Sequence, residues 1–245
     1  MVLGTVFTAG LLIGVAATSS LRDVFAAAAD RVPSYVEWNS ETTAAASSGD
    51  AFRGSLLAKR CAHCHGDEGF SPMASTPNLA AMDKLVLWKQ LQDFRSNKRR
   101  SAVMQPIAQS LAAQDVADLV AYYSRLPVFA DSQDNRAFPQ ARPNAEHLSI
   151  ASRLIMFGDG ERGIPPCDAC HGPIAYRPGA PSLMTQNADY VLDQLEWFAN
   201  GKRANDINEP MRTISGLLSE DERHALAEYY GAGLGTQGTS IMASH

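Results

Sequence analysis

The chain has 245 residues, with Lys+Arg 21 against Asp+Glu 26 for a formal net charge of -5, and 45% hydrophobic and 19% charged residues. That balance belongs to a folded globular protein and excludes both disorder and collagen-like repeats, while an acidic total argues against a nucleic-acid binder. Four cysteines are too few for a disulfide scaffold of this length.

Residues 2–21 carry no charge before Arg22 and Asp23 interrupt. About 20 helical residues at 1.5 Å each cross a hydrocarbon core of roughly 30 Å. The leading reading of residues 1–30 is a retained transmembrane anchor. A cleaved export signal is the second, with Ala26 to Ala29 offering small-residue cleavage sites, and a buried helix is the third. The first two place the rest of the chain outside the cytoplasm. Residues 31–49, rich in Ser, Thr and Ala, read as a tether.

The remainder is a tandem duplication. Cys61-Ala62-His63-Cys64-His65-Gly66 recurs as Cys167-Asp168-Ala169-Cys170-His171-Gly172, 106 residues on. Gln90, Leu91 and Phe94 with Lys98-Arg99 recur as Gln194, Leu195 and Phe198 with Lys202-Arg203, and Leu111 to Tyr123 recurs as Leu218 to Tyr230. The expected domains are 50–130 and 146–233, with a polar, proline-bearing linker at 131–145 and a tail at 234–245. Each repeat reads as helices between Gly/Pro loops, so the fold class is all-α. Helices are expected at about 84–96 and 188–200, each followed by a shorter segment and a final helix. The final helix of the first repeat carries Val116, Leu119, Val120 and Tyr123 at the spacing of one apolar face. Ser219 with Glu222 forms a capping box at the start of its counterpart.

Cys-x-x-Cys sets two thiols one helical turn apart, able to form thioethers with the two vinyl groups of one haem, and the adjoining His presents its imidazole to the iron. Two such motifs in register imply two covalently bound haem c groups, on Cys61, Cys64, Cys167 and Cys170, with His65 and His171 as iron ligands. A zinc site would need the two pairs to converge from separate repeats, and redox thiols would need a βαβ setting. For the sixth ligand, Met73, Met82 and Met104 follow the first motif and Met184 and Met211 the second. Only Met104 and Met211 occupy matching places, 39 residues after His65 and 40 after His171. His63, His147, His224 and His245 have no counterparts between repeats and read as surface residues.

This series of motifs resembles the class I cytochromes c and, in its two-domain form, the di-haem cytochrome c4 type, over about residues 50–233. The resemblance implies two tandem class I cytochrome c domains; the N-terminal hydrophobic run, the tether and Ile164-Pro165-Pro166 before the second motif depart from the family's pattern. The resemblance also implies that Pro77 and Pro181 lie in loops whose carbonyls orient the proximal imidazoles, and that Arg99 and Arg203 partner haem propionates. The expected function is single-electron transfer between redox partner proteins at the periplasmic side of the membrane, as a carrier or as the cytochrome subunit of a membrane oxidoreductase, with no bond chemistry of its own. The competing reading is a di-haem, peroxidase-like enzyme with one open iron site; the matched methionines argue against it. Residues 31–130 hold 11 basic and 9 acidic side chains and residues 131–245 hold 9 and 15, so the two halves are expected to meet different partners.

Overall fold

The computed structural model of the chain describes residues 34–127, 143–172, 178–184 and 186–233. The hydrophobic run 2–21, most of the linker and the tail lie outside the described residues. Among the described residues the secondary structure is helical, with one isolated antiparallel bridge between Asp159 and Ile164. No helix there is long and apolar enough to cross a membrane.

The stretch expected as a tether is structured from residue 34 onward. Helix α1 (Ser40–Ser47) starts where the Asn39 side chain accepts from the Thr42 amide, and its Ala46 is fully buried against the first half. The polar composition that suggests a solvated linker also suits a short capped helix whose alanines pack.

The first half contains α2 (Ala51–Ala58), α3 (Ala62–His65), α4 (Lys84–Arg95), α5 (Met104–Ser110) and α6 (Ala113–Tyr123). The second repeats the series as α7 (Ala145–Met156), α8 (Asp168–His171), α9 (Ala188–Ala199), α10 (Pro210–Leu217) and α11 (Glu220–Gly231). In each half the first and last helices cross. The crossing of α2 and α6 is close because Gly54 faces the Asp118 carbonyl, where a Cβ would stand only 2.0 Å from the oxygen. In the second half α7 and α11 meet through Ala151 and Ala225, both fully buried. The cores are separate: Leu87, Val116, Leu119, Val120 and Tyr123 in one, and Leu154, Ile155, Leu195, Leu226 and Tyr230 in the other. Burying one such side chain contributes about 1.5–3 kcal/mol.

Polar side chains fasten each crossing. Asp118 is buried on α6 and accepts from the Asp50 amide at 2.7 Å, from Arg53 Nε at 2.8 Å and from Gln114 at 2.9 Å. The Arg53 hydrogen bond holds its carboxyl down at about 2 against the opposing effect of burial. In the second half Glu222 takes two hydrogen bonds from Arg162 of the loop after α7, at 2.6 and 2.9 Å, and one from Arg153 of α7 itself at 3.4 Å.

The final helices begin differently. Ser219 and Glu222 make the reciprocal capping box expected of them, at 3.1 and 2.9 Å. Ala112 occupies the matching place before α6 and has no side-chain acceptor, so only the Asp115 arm survives, at 2.9 Å from the Ala112 amide. Ala112→Ser should therefore stabilise the first half by about 0.5–1 kcal/mol, read as a rise in its thermal midpoint.

His147, expected at the surface, is tucked between α7 and α11. Its Nδ1 lies 2.9 Å from Glu228 and its Nε2 3.1 Å from Asp221, with 18% of the side chain exposed. The Glu228 hydrogen bond, followed by that to Asp221, outweighs burial and raises its pKa. A raised folded-state value means that this stabilisation is complete below the ordinary histidine value of about 6.5 and is lost as pH rises through the folded-state value. The stability difference between wild type and His147→Leu, measured by thermal unfolding, should thus be largest in mild acid and shrink on the alkaline side.

Candidate haem-binding site

Each CxxCH motif forms a single helical turn with nearly the same hydrogen bonds. Cys64 and His65 donate their amides to the Cys61 carbonyl at 3.1 and 2.9 Å, and Cys170 and His171 donate to Cys167 at 3.1 and 2.9 Å. The turn brings both sulfurs and the imidazole of one motif to one place. None of the four cysteines is in a disulfide. Burial, with the neighbouring Asp168 carboxylate second, pushes the Cys167 thiol up to about 12, and burial raises Cys61 as well. Neither is an activated thiolate of the kind that catalyses disulfide exchange.

The imidazoles are aimed by the loops that follow. His65 Nδ1 lies 2.9 Å from the Pro77 carbonyl and His171 Nδ1 2.7 Å from that of Pro181. A carbonyl can only accept, so each Nδ1 carries the proton and each ring presents Nε2 as its unprotonated nitrogen. Both histidines are buried, and burial holds His65 below its ordinary pKa against the opposing pull of Pro77.

The methionines divide by position. Met104 is the first residue of α5, its amide held by Ser101 Oγ at 3.0 Å, and Met211 is the second residue of α10. Both are half-buried, and Met211 packs on the same core as Cys167. Met82 packs against the core of the first half and Met73 is 46% exposed.

Arg99 and Arg203 are brought together at the interface between the halves, related by an approximate two-fold exchange. Arg99 donates to Gln90 at 2.8 Å and across the interface to Gln194 at 3.0 Å. Arg203 donates to Gln194 at 2.9 Å and across the interface to Gln90 at 3.2 Å. Each guanidinium also stacks on its own half's phenylalanine, Phe94 or Phe198. Beside them Lys89 donates to Asp93 and to the Asn205 carbonyl, and Asn205 donates back to Asp93 at 2.7 Å. Gln186 and Asn187 of the second half bond the backbone of Asn78, Met73 and Thr76 in the first. The matched glutamines were the available signal for this interface. Asp93 and Asn205 carried none, since Trp197 and Ser101 stand at the corresponding places.

Two features test whether a haem suits each half. Tyr230, beside Cys167, has a buried phenol oxygen with no hydrogen-bond partner among the described residues, and the buried Tyr123 phenol has only the Cys61 thiol beside it. At the interface Lys89 pairs with Asp93 and feels the charges of Arg203 and Arg99, while Asp206 is paired with Arg212 at 2.7 Å. Burial and the charge of Arg99 pull Arg203 down to about 9. The phenols beside the cysteine pairs and the group of cations at the interface both suit an anionic, propionate-bearing macrocycle in each half.

The comparisons with known proteins agree. The Cytochrome c family model matches residues 52–126. The chain is 36% identical to cytochrome c4 of Thiocapsa roseopersicina over 69% of its own length and 84% of that protein's. It belongs to the di-haem cytochrome c4 family. The thiosulfate dehydrogenase electron acceptor of Stutzerimonas stutzeri is also similar, 38% identical over 71% of this chain and 78% of its own. Reduced recombinant cytochrome c4 from Pseudomonas stutzeri superposes with a TM-score of 0.66 at 29% identity, over 76% of this chain and 98% of that one. A thiosulfate dehydrogenase from Marichromatium purpuratum gives 0.65 at 30% identity, with 74% of this chain matching 39% of that longer one. As a cytochrome c4 the chain carries covalently bound haem c and is an electron-transfer protein rather than an enzyme.

Proposed function

We propose that the chain is a periplasmic carrier of single electrons with two haems, each bound through Cys61 and Cys64 or Cys167 and Cys170. Its iron ligands are His65 with Met104 and His171 with Met211. The haem iron supplies the chemistry, cycling between the ferric and ferrous states. The matched hydrogen bonds from His65 to Pro77 and from His171 to Pro181 carry the assignment, because each directs Nε2 of its ring outward and raises the basicity of the imidazole. The apolar cores behind them exclude water, and Arg99 and Arg203 offset propionate charge at the interface. A full complement of ligands makes the chain a carrier, which distinguishes it from the peroxidase-like alternative: reductive titration should take up two electrons per chain, and hydrogen peroxide should not be turned over.

The names of its relatives support a dehydrogenase, thiosulfate dehydrogenase among them, as the electron donor. Stopped-flow mixing with that enzyme and thiosulfate should reduce both haems; reduction only by partners on the respiratory side would assign the chain elsewhere. The acidic residues 131–245 favour docking on a basic surface and residues 31–130 on a neutral or acidic one, so the rate with a basic partner should fall as salt rises. Residues 2–21, as a retained anchor, would hold these domains at the membrane. N-terminal mass analysis of fractionated cells tests this: a chain beginning near Ala29 in the soluble periplasm would make the segment a signal only.

A further inference from the structure

The segment ahead of the first half belongs to neither repeat, yet it touches both. Ser34 donates to Asp93 Oδ1 at 2.5 Å, the same carboxylate that holds Lys89 of the first half and Asn205 of the second. Tyr35 lays its ring 3.7 Å from Lys98 Nζ. Trp38 then reaches the second half and packs on Gly179, two residues before Pro181. A Cβ on Gly179 would stand 2.7 Å from the indole Cζ2, and the glycine's φ of +84° is one that side-chain-bearing residues rarely adopt. Behind Trp38, α1 is seated on the first half by the fully buried Ala46, and Gly49 lets the chain pass tightly over the Ala117 carbonyl of α6.

The geometry points to residues 34–47 as a strap that holds the two halves at one mutual orientation, with Trp38 as a positioning residue for electron passage between the haems. This rests on the di-haem reading for its consequence, not for its contacts. The interface is built largely from hydrogen bonds, between side chains and from side chains to backbone, and domains joined by such polar surfaces move against one another unless something restrains them. A strap rooted on one half meets the other as an intramolecular contact and so acts at high effective concentration. The second half has no equivalent strap among the described residues.

Hydrogen exchange in the haem-loaded protein reads the orientation directly. The Asn78 amide donates across the interface to Gln186 at 2.7 Å and reports its opening, while the amides of Val120 and Leu226 report the two cores. Trp38→Ala should speed Asn78 exchange about fivefold, leave both core amides unchanged and slow haem-to-haem transfer after rapid one-electron reduction. Trp38→Phe should restore both readings. Gly179→Ala, whose added carbon displaces the indole without removing it, should act as Trp38→Ala does and serves if that variant folds poorly. Unchanged Asn78 exchange in both variants would overturn the proposal, as would acceleration shared equally by Val120, which would make the segment a stabiliser of the first half alone. A chain found to bear fewer than two haems would remove the di-haem reading, while the exchange rates would still decide whether the strap holds the halves together.

Discussion

Met104→Ala should halve the far-red band that methionine sulfur gives with ferric haem, and Met211→Ala should remove the other half. On the ligation proposed above, each variant would leave one haem with its histidine and without its methionine sulfur, so its reduction potential should drop while the other's changes little. The effect divides evenly because the two methionines hold matching positions at the starts of α5 and α10. Met82→Leu, by contrast, should leave the band intact and change stability by less than about 1.5 kcal/mol, since Met82 packs against the core of the first half. Full band intensity in Met104→Ala would assign the ligand to another methionine.

Asp93→Ala should cause the largest loss of stability of any single exchange at the interface. Asp93 is fully buried and accepts from Ser34, Lys89 and Asn205, so its removal strands the buried Lys89 ammonium and opens the junction of the strap and both halves. Burial already pulls Lys89 below its ordinary value, with Asp93 as the main opposing influence. Breaking such a pair from one side costs about 3–5 kcal/mol. The thermal midpoint should fall by roughly 6–12 °C at the lower end of that range. Lys89→Met combined with Asp93→Leu should recover part of the loss, because the Lys89 ammonium is then no longer buried without its carboxylate. A small effect from Asp93→Ala alone would mean that the ammonium finds another anion, and the group of cations at the interface would have to be balanced differently.

Much of this was legible because the chain states its plan twice. The CxxCH motifs, the helices at about 84–96 and 188–200 and the correspondence of Arg99 with Arg203 could be read from recurrence, and the capping box at Ser219 from local chemistry; that the two arginines meet at one interface could not. Recurrence is also what limited the reading. Asp93, Asn205 and Lys89 form the asymmetric part of the interface, where one half does what the other does not, and no repeat comparison can reveal them. His147 looked like surface because a lone histidine on a helix usually is; its partners Asp221 and Glu228 come from α11, more than 70 residues away. Composition misled at residues 34–47, where alanines and a capping Asn39 make a packed helix out of what reads as a tether.

The central claim is that each half holds one haem through its own cysteine pair. Intact mass of the chain after acid–acetone extraction, for wild type and for Cys61→Ala/Cys64→Ala, measures this directly. The wild type should exceed its polypeptide mass by two haem groups, and the double variant by one. A wild-type chain that gives up its haem to the solvent, or a double variant that still retains two, would contradict the account.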